Sequence, residues 1–232
     1  MTATVLLDLY GTLVEPDWAA LLNGRAALAE RAGVTAAAAH RAWQVTHAAR
    51  MTGAYGLLAD DLAAIFSEAS DSRWSAISAG LLSELAEEER GNWSRGVRLY
   101  PDAVPALSLL RSSGSRLAIV TNASAEAASV VEALGLRPLV DDVFPSCEAG
   151  LLKPDLLGVA LRSLGVEASD ATLVDDEPAQ LDRAAQLGIG TILIQRSGAE
   201  AAAAITAGPH RPVSDLRQVA GLVVRAEPAR QR

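Results

Sequence analysis

Hydrophobic and polar positions follow two textures along this chain. Near the N-terminus Val5, Leu6 and Leu7 form a short apolar run that stops at Asp8 and meets a turn at Gly11-Thr12. That pattern predicts a buried strand over residues 4–9. From residue 15 to 95 Ala, Leu, Arg and Glu recur at helical spacing, in LLNGRAALAERAG, TAAAAHRAWQVTHAARM, ADDLAAIFSEA and SAISAGLLSELAEEER. Four helices are predicted, joined by turns at 33–35, 53–56 and 69–73, with no strand pattern between them. Beyond Gly96 short apolar runs alternate with amphipathic stretches. Strands are predicted at 116–121 (RLAIVT), 143–144, 171–175 (ATLVD) and 190–195 (GTILIQ), and helices at 101–112, 125–134, 154–164, 178–187 and 215–224. Buried strands alternating with helices imply a parallel sheet covered on both faces. The expected fold class is therefore α/β, a doubly wound parallel-sheet core built from residues 1–14 and 96–225. An all-helical insert occupies 15–95 and a frayed tail 226–232. Residues 199–207, AEAAAAITA, read equally as a short helix or a linker. Trp18, Trp43, Tyr55, Trp74 and Trp93 lie in or beside the helical block and are expected to fill its core.

Composition narrows the function classes. Half of the 232 residues are hydrophobic, enough for one large domain or one domain with an inserted module. The net charge is −8 and no basic run or basic-aromatic stripe is present, which argues against a nucleic-acid partner. No apolar run approaches the ~20 residues of a membrane span, and the first residues lack the pattern of a signal peptide. Cys147 is the sole cysteine, so neither an internal disulfide nor a cysteine-rich zinc site is available. The expectation is a cytoplasmic protein, monomer or homodimer. Arginine supplies 19 of the 20 basic residues; Lys153 is the lone lysine.

In a parallel sheet of this kind ligands bind beyond the carboxyl ends of the strands. The first strand ends at Asp8, the strand at 116–121 ends in Thr121-Asn122, and the strand at 171–175 ends in Asp175-Asp176. Asn122 or Asp176 alone could cap the helix that follows. Three strands delivering polar groups to one edge, with Lys153 just before a helix between them, point to a site. A carboxylate at the end of a central strand is costly to desolvate and needs a partner.

These residues resemble the motifs of the haloacid dehalogenase-like (HAD) hydrolase superfamily over nearly the whole chain. DLYGTLV at 8–14 is similar to the first motif, Thr121-Asn122 to the second, Gly150-Leu-Leu-Lys-Pro-Asp155 to the third, and LVDDEPAQLDRAAQLG at 173–188 to the fourth. The helical block between the first and second motifs resembles the small helical cap of that superfamily. The resemblance implies that Asp8 is a nucleophile forming a covalent ester with a small-molecule substrate, a phosphorylated one in the phosphatase members. It implies Mg2+ held by Asp8, the backbone carbonyl of Tyr10 and Asp176, with Asp175 helping, a set that suits an octahedral oxygen site. It implies that Thr121, Asn122 and backbone amides around Gly11 and Thr12 hold the phosphoryl oxygens while Lys153 neutralises Asp8. A compact ammonium suits that slot where a planar guanidinium does not.

The chain departs from the phosphatase pattern at Tyr10, where a second aspartate usually acts as general acid and base. Tyrosine there resembles the metal-independent L-2-haloacid dehalogenases, which hold their substrate with an early cap arginine; Arg41 is the candidate here. Against that, Val159 stands where the dehalogenases carry a tyrosine after the lysine, and Asp175-Asp176 replaces their Ser and Asn. Two adjacent acids beside Asp8 repel one another unless a cation lies between them. Magnesium-dependent phosphomonoester hydrolysis is the leading expectation. A 2-haloacid dehalogenase and a HAD-fold binding protein with little turnover are the alternatives. A Rossmann dehydrogenase is disfavoured, because Gly188-Ile-Gly190 follows a helix and lacks a third glycine.

Overall fold

Strand β1 (Thr4–Leu7) is the centre of a six-stranded sheet in a computed structural model that describes residues 3–70, 77–196 and 209–223. Its neighbours are β4 (Arg116–Thr121) on one side and β6 (Ala171–Asp175) on the other. β5 (Asp142–Pro145) extends the sheet beyond β4; β7 (Gly190–Ile194) and β8 (Arg211–Val213) extend it beyond β6. Every pairing is parallel. The three strands whose ends were singled out from sequence are thus adjacent, and their carboxyl ends share one edge.

Alternation along β1 divides the core into two layers. Val5 and Leu7 face one apolar cluster, with Leu107 and Leu110 of α6 (Ala103–Ser112) and Val219 of α11 (Arg217–Val223). Leu6 faces the other, with Leu157 and Leu161 of α9 (Asp155–Leu164) and Leu181 of α10 (Pro178–Gln186). Two smaller helices, α7 (Ala127–Ala133) and α8 (Ser146–Ala149), follow β4 and β5.

The helical insert comprises α1 (Trp18–Arg31), α2 (Ala36–Val45), α3 (His47–Met51), α4 (Leu58–Ala69) and α5 (Ala79–Gly96). Asp17, Thr35 and Ser78 each accept a backbone N–H at the start of α1, α2 and α5, the usual service of short polar caps. The insert has its own apolar cluster, with Trp43, Leu62, Ile65, Phe66 and Leu85. The second predicted helix breaks at Thr46, whose hydroxyl bonds back to the Ala42 carbonyl. An antiparallel ribbon of β2 (Val14–Pro16) and β3 (Val97–Leu99) joins insert to sheet; β2 crosses the first expected boundary of the insert, and β3 begins just past the second. The ribbon, α8 and β8 are too short to leave a periodic signal.

The expected role of the aromatic residues needs correction. Trp43 is insert core, packed edge-on against Phe66, but Trp93 is buried in the sheet-side cluster. Trp18 is 55% exposed and Tyr55 is also exposed. Trp18 sits on the first turn of α1 and packs edge-on against Trp93 of α5, with centroids 6.2 Å apart, while more than half of it stays open to solvent. Trp74, residues 199–207 and the tail at 226–232 lie outside the described residues. No helix among the described residues is long and apolar enough to cross a membrane.

Candidate active site

Asp8 follows β1 directly, and its N–H donates to the Val174 carbonyl of β6 at 2.9 Å, so the sheet ladder itself fixes its position. Asp175 closes β6 and is buried; Asp176 follows and is exposed. Their carboxylate oxygens come within 4.8 Å of one another. Lys153 Nζ donates to Asp8 Oδ1 and to Asp175 Oδ2, both at 2.7 Å. Its backbone N–H donates to Asn122 Oδ1 at 2.9 Å, which ties the end of β4 to the lysine loop. Glu177 N–H donates to Asp175 Oδ1, leaving Asp175 fully engaged.

Three carboxylates share one lysine, which leaves two negative charges uncompensated. Burial first, then Asp175 and Asp176, push the Asp8 carboxyl up to about 7 against the pull of Lys153. Partial burial and Asp175 raise Asp176 as well. Burial works to lower Lys153, but Asp8 and Asp175 together outweigh it and the ammonium is held charged. A divalent cation fits this donor set: it supplies the missing charge, and all three partners offer hard oxygen.

The first-motif loop is shaped by close approach. Gly11 has φ +81°, and a Cβ there would meet an Asp176 carboxylate oxygen at 2.3 Å. Thr12 is buried, and its hydroxyl donates to Asp176 Oδ1 at 3.4 Å. Thr121 is buried too, and its hydroxyl has no hydrogen-bond partner among the described residues. The hydroxyl of Tyr10 is in the same position, while its ring packs on Trp93 with centroids 5.5 Å apart. Unpaired polar atoms of this kind are costly unless a ligand or water completes them. Burial, then Glu126 and Asp8, raise the Tyr10 pKa well above the ordinary phenol value.

A family model described as haloacid dehalogenase-like hydrolase matches residues 2–188. The protein belongs to the haloacid dehalogenase-like hydrolases. A phosphoglycolate phosphatase from Rhodospirillum rubrum is 32% identical over 203 residues, covering 84% of this chain and 80% of that protein. A 2-haloacid dehalogenase from Pseudomonas syringae has the same fold, with a TM-score of 0.71 over 97% of this chain and 100% of that one at 23% identity. A HAD phosphatase from Thermococcus onnurineus superposes with a TM-score of 0.64, covering 96% and 98% at 18% identity. At those identities the two structures speak to fold alone. Sequence likeness favours phosphatases among the haloacid dehalogenase-like hydrolases.

The structure thus brings these residues to one edge: Lys153 bonds Asp8, Asp175 and Asn122, Thr12 bonds Asp176 beside Gly11, the two sets meet where the three carboxylates come within 4.8 Å, and Thr121 ends the adjacent strand. It does not bring Arg41 there. α2 buries Ala39, Ala42 and Trp43, and Arg41 falls on the opposite, solvent-exposed face. Two other arginines of the insert, Arg25 and Arg50, turn inward instead. Asn122 spends its carbonyl oxygen on Lys153, so at most its NH2 group is left for substrate oxygens.

Sequence reasoning missed a supporting pair. Arg196, just past β7, makes a two-oxygen contact from Nη1 to Asp102 at 2.8 and 2.7 Å, and its Nη2 donates to the Thr12 carbonyl. The guanidinium lies 3.9 Å from the Tyr100 ring centroid, and Asp102 also accepts from Leu216 N–H. This partly buried ion pair holds the far end of the loop that carries Tyr10 and Thr12. Pro101-Asp102 reads locally as a helix start, and nothing in sequence links it to residue 196.

Proposed function

We propose that this chain is a magnesium-dependent phosphomonoesterase working through an aspartyl-phosphate on Asp8, with residues 15–95 acting as a cap over a core of 1–14 and 96–225. The observation that carries the reading is the cluster of Asp8, Asp175 and Asp176 with only Lys153 to balance it. That excess negative charge is awkward for a metal-free enzyme and suits a magnesium one. Asp8, Asp176 and the Tyr10 carbonyl would hold the ion, with Asp175 fixing Lys153. Bound magnesium supplies charge neutralisation and orientation for the phosphoryl group.

The Asp8 carboxylate attacks phosphorus and the bond to the leaving alcohol breaks. Thr121 Oγ1 and the Asn122 NH2 group donate to the phosphoryl oxygens, and Lys153 offsets their charge. Water then attacks the phosphorus of the acyl phosphate, releasing inorganic phosphate and restoring Asp8. Tyr10 is held protonated and is a hydrogen-bond donor rather than a base, so solvent must carry the leaving-group proton. The enzyme is therefore expected to favour esters with good leaving groups. Because the Rhodospirillum rubrum relative is named for phosphoglycolate, carboxylate-bearing phosphomonoesters are the first compounds to assay. Phosphate release that requires magnesium, stops with EDTA and is lost in Asp8→Asn is the expected result.

A second reading, metal-independent 2-haloacid dehalogenation, draws on one observation: the unpaired hydroxyl of Tyr10 beside Asp8. Asp175-Asp176, Val159 and the outward-facing Arg41 count against it. Halide release from 2-chloropropionate in EDTA, with no phosphate release from any ester, would replace the first reading by the second.

A further inference from the structure

A cavity of about 590 Å3 lies between α1, α2 and α3 of the insert. Arg25, His40, Trp43, His47 and Arg50 line it, and none of its lining residues is acidic. In a chain with 28 acidic and 20 basic residues, such a selection is notable, and two of the three histidines are in it. Its volume lies in the range of pockets that enclose a whole organic ligand. A two-carbon phosphate ester would leave most of it empty.

The cationic groups differ in what they have to spare. Arg50 commits Nε to Thr46, Nη1 to Ser124 and Nη2 to the Trp43 carbonyl. Among the described residues Arg25 commits only Nε, to Glu89 at 3.2 Å, and its guanidinium lies over Trp43 and Trp93 at 5.0 and 5.5 Å from their centroids. Its two Nη groups remain for a ligand in a fork geometry that matches carboxylate or phosphate. The His47 ring makes no hydrogen bond to a described residue. Partial desolvation and the nearby Arg50 lower its pKa, so it offers one neutral N–H donor.

Two chains of side-chain contact link the cavity lining to the Asp8 site. The Trp93 ring that Arg25 overlies also packs on Tyr10. Arg50 donates to Ser124, three residues past Thr121.

We infer that the cavity receives the non-reacting part of the substrate, and that the substrate is a phosphomonoester larger than a two-carbon acid whose far end carries a second anionic group bound by Arg25 and His47. The inference rests on the phosphatase reading and names its substrate class. The second anion has one chemistry, satisfied by a carboxylate or by a second phosphate.

The test measures magnesium-dependent phosphate release from size-matched pairs. 6-Phosphogluconate against glucose 6-phosphate probes a carboxylate, and fructose 1,6-bisphosphate against fructose 6-phosphate probes a phosphate. A higher kcat/KM for the doubly anionic member of at least one pair is expected, and which pair responds identifies the anion. Arg25→Gln should lower that preference roughly 10- to 100-fold, chiefly through KM, the loss of a charge-assisted hydrogen bond. His47→Gln should lower it less and in the same direction. Ala26→Trp, which fills the cavity, should depress six-carbon esters more than glycerol 2-phosphate. No preference in either pair, or equal losses for both members in Arg25→Gln and His47→Gln, overturns the inference. If Arg25→Gln does not fold, His47→Gln decides, because it breaks no bond to a described residue. If no ester is hydrolysed the phosphatase reading fails separately. Calorimetric binding of the same pairs then still decides: tighter binding of the doubly anionic member, weakened by His47→Gln, supports the inference, and equal or absent binding overturns it.

Discussion

Lys153→Met removes the one positive charge from the acidic cluster while keeping an apolar stem of similar length. Nζ lies 2.7 Å from Asp8 Oδ1 and from Asp175 Oδ2, with the side chain 3% exposed. At an effective dielectric of ~20 each contact is worth roughly 6 kcal/mol before desolvation, which offsets most of it. Removing one partner of a buried pair costs roughly 3–5 kcal/mol net, or ~6–20 °C in Tm for a chain of this size. The variant then holds three uncompensated carboxylates instead of two, so it should bind a divalent cation more tightly than the wild type. Magnesium at 100 times its Kd returns ~2.7 kcal/mol. The expected pattern is a large fall in Tm in EDTA and a larger magnesium-induced recovery for Lys153→Met than for the wild type. Phosphate release should nevertheless fall by ~10² or more even in saturating magnesium, because a second positive charge on the phosphoryl group is gone. Thermal melts in EDTA and in magnesium, paired with phosphate release, read both effects. Equal magnesium-induced shifts in the two proteins, or activity restored by magnesium alone, would refute the charge argument.

Tyr10→Asp restores a carboxyl where proton transfer is missing; hydrolysis of alkyl phosphates should rise, by up to ~10²-fold, with little change for aryl phosphates whose leaving groups need no proton. Comparing kcat for the two ester classes checks this, and an equal change in both would count against a proton-delivery deficit. Gly11→Ala places a Cβ against Asp176 at a φ of +81°, so the magnesium concentration for half-maximal activity should rise roughly tenfold with the fold intact by circular dichroism. Asp61 on α4 is buried near Arg50 and Glu126 and accepts from Ala125 N–H; burial raises its carboxyl to about 7. Its folded pKa exceeds the unfolded value of ~3.9, so the native state binds the extra proton. Its contribution is full below ~3.9 and is lost as pH rises through about 7. Asp61→Asn should therefore flatten the fall in stability between those values, and urea denaturation across that range measures it.

The sheet was legible because its strands announce themselves. RLAIVT and ATLVD are continuous apolar runs, and β4 and β6 occupy the same residues that those runs predict. A strand covered on both faces has no polar alternation to confuse its limits. Elements stabilised by partners distant in sequence were not legible. β2 pairs with β3 some eighty residues away, and β8 has three residues beside β7. The break at Thr46 depends on one hydroxyl returning to a carbonyl, which a helical spacing rule does not register.

The site divides along the same line, and the division has a physical cause. Asp8, Thr121, Asn122, Asp175 and Asp176 sit at strand ends, so local pattern plus a parallel sheet was enough to bring them to one edge. Lys153 stood out because the chain uses arginine everywhere else. What escaped was everything supplied by orientation: which face of α2 carries a ligand, and which arginine reaches inward. Arg41, Arg25 and Arg50 are indistinguishable as letters on amphipathic helices. Burial of Ala39, Ala42 and Trp43 turns Arg41 outward, and the Glu89 carboxylate with the indoles of Trp43 and Trp93 fixes the Arg25 guanidinium beside the cavity. A strand end has one direction, set by the sheet, whereas a helix offers its side chains all around its axis until its packing is known. Chemistry at the core edge can therefore be read before the fold is seen, but the groups of the insert that would select a substrate cannot.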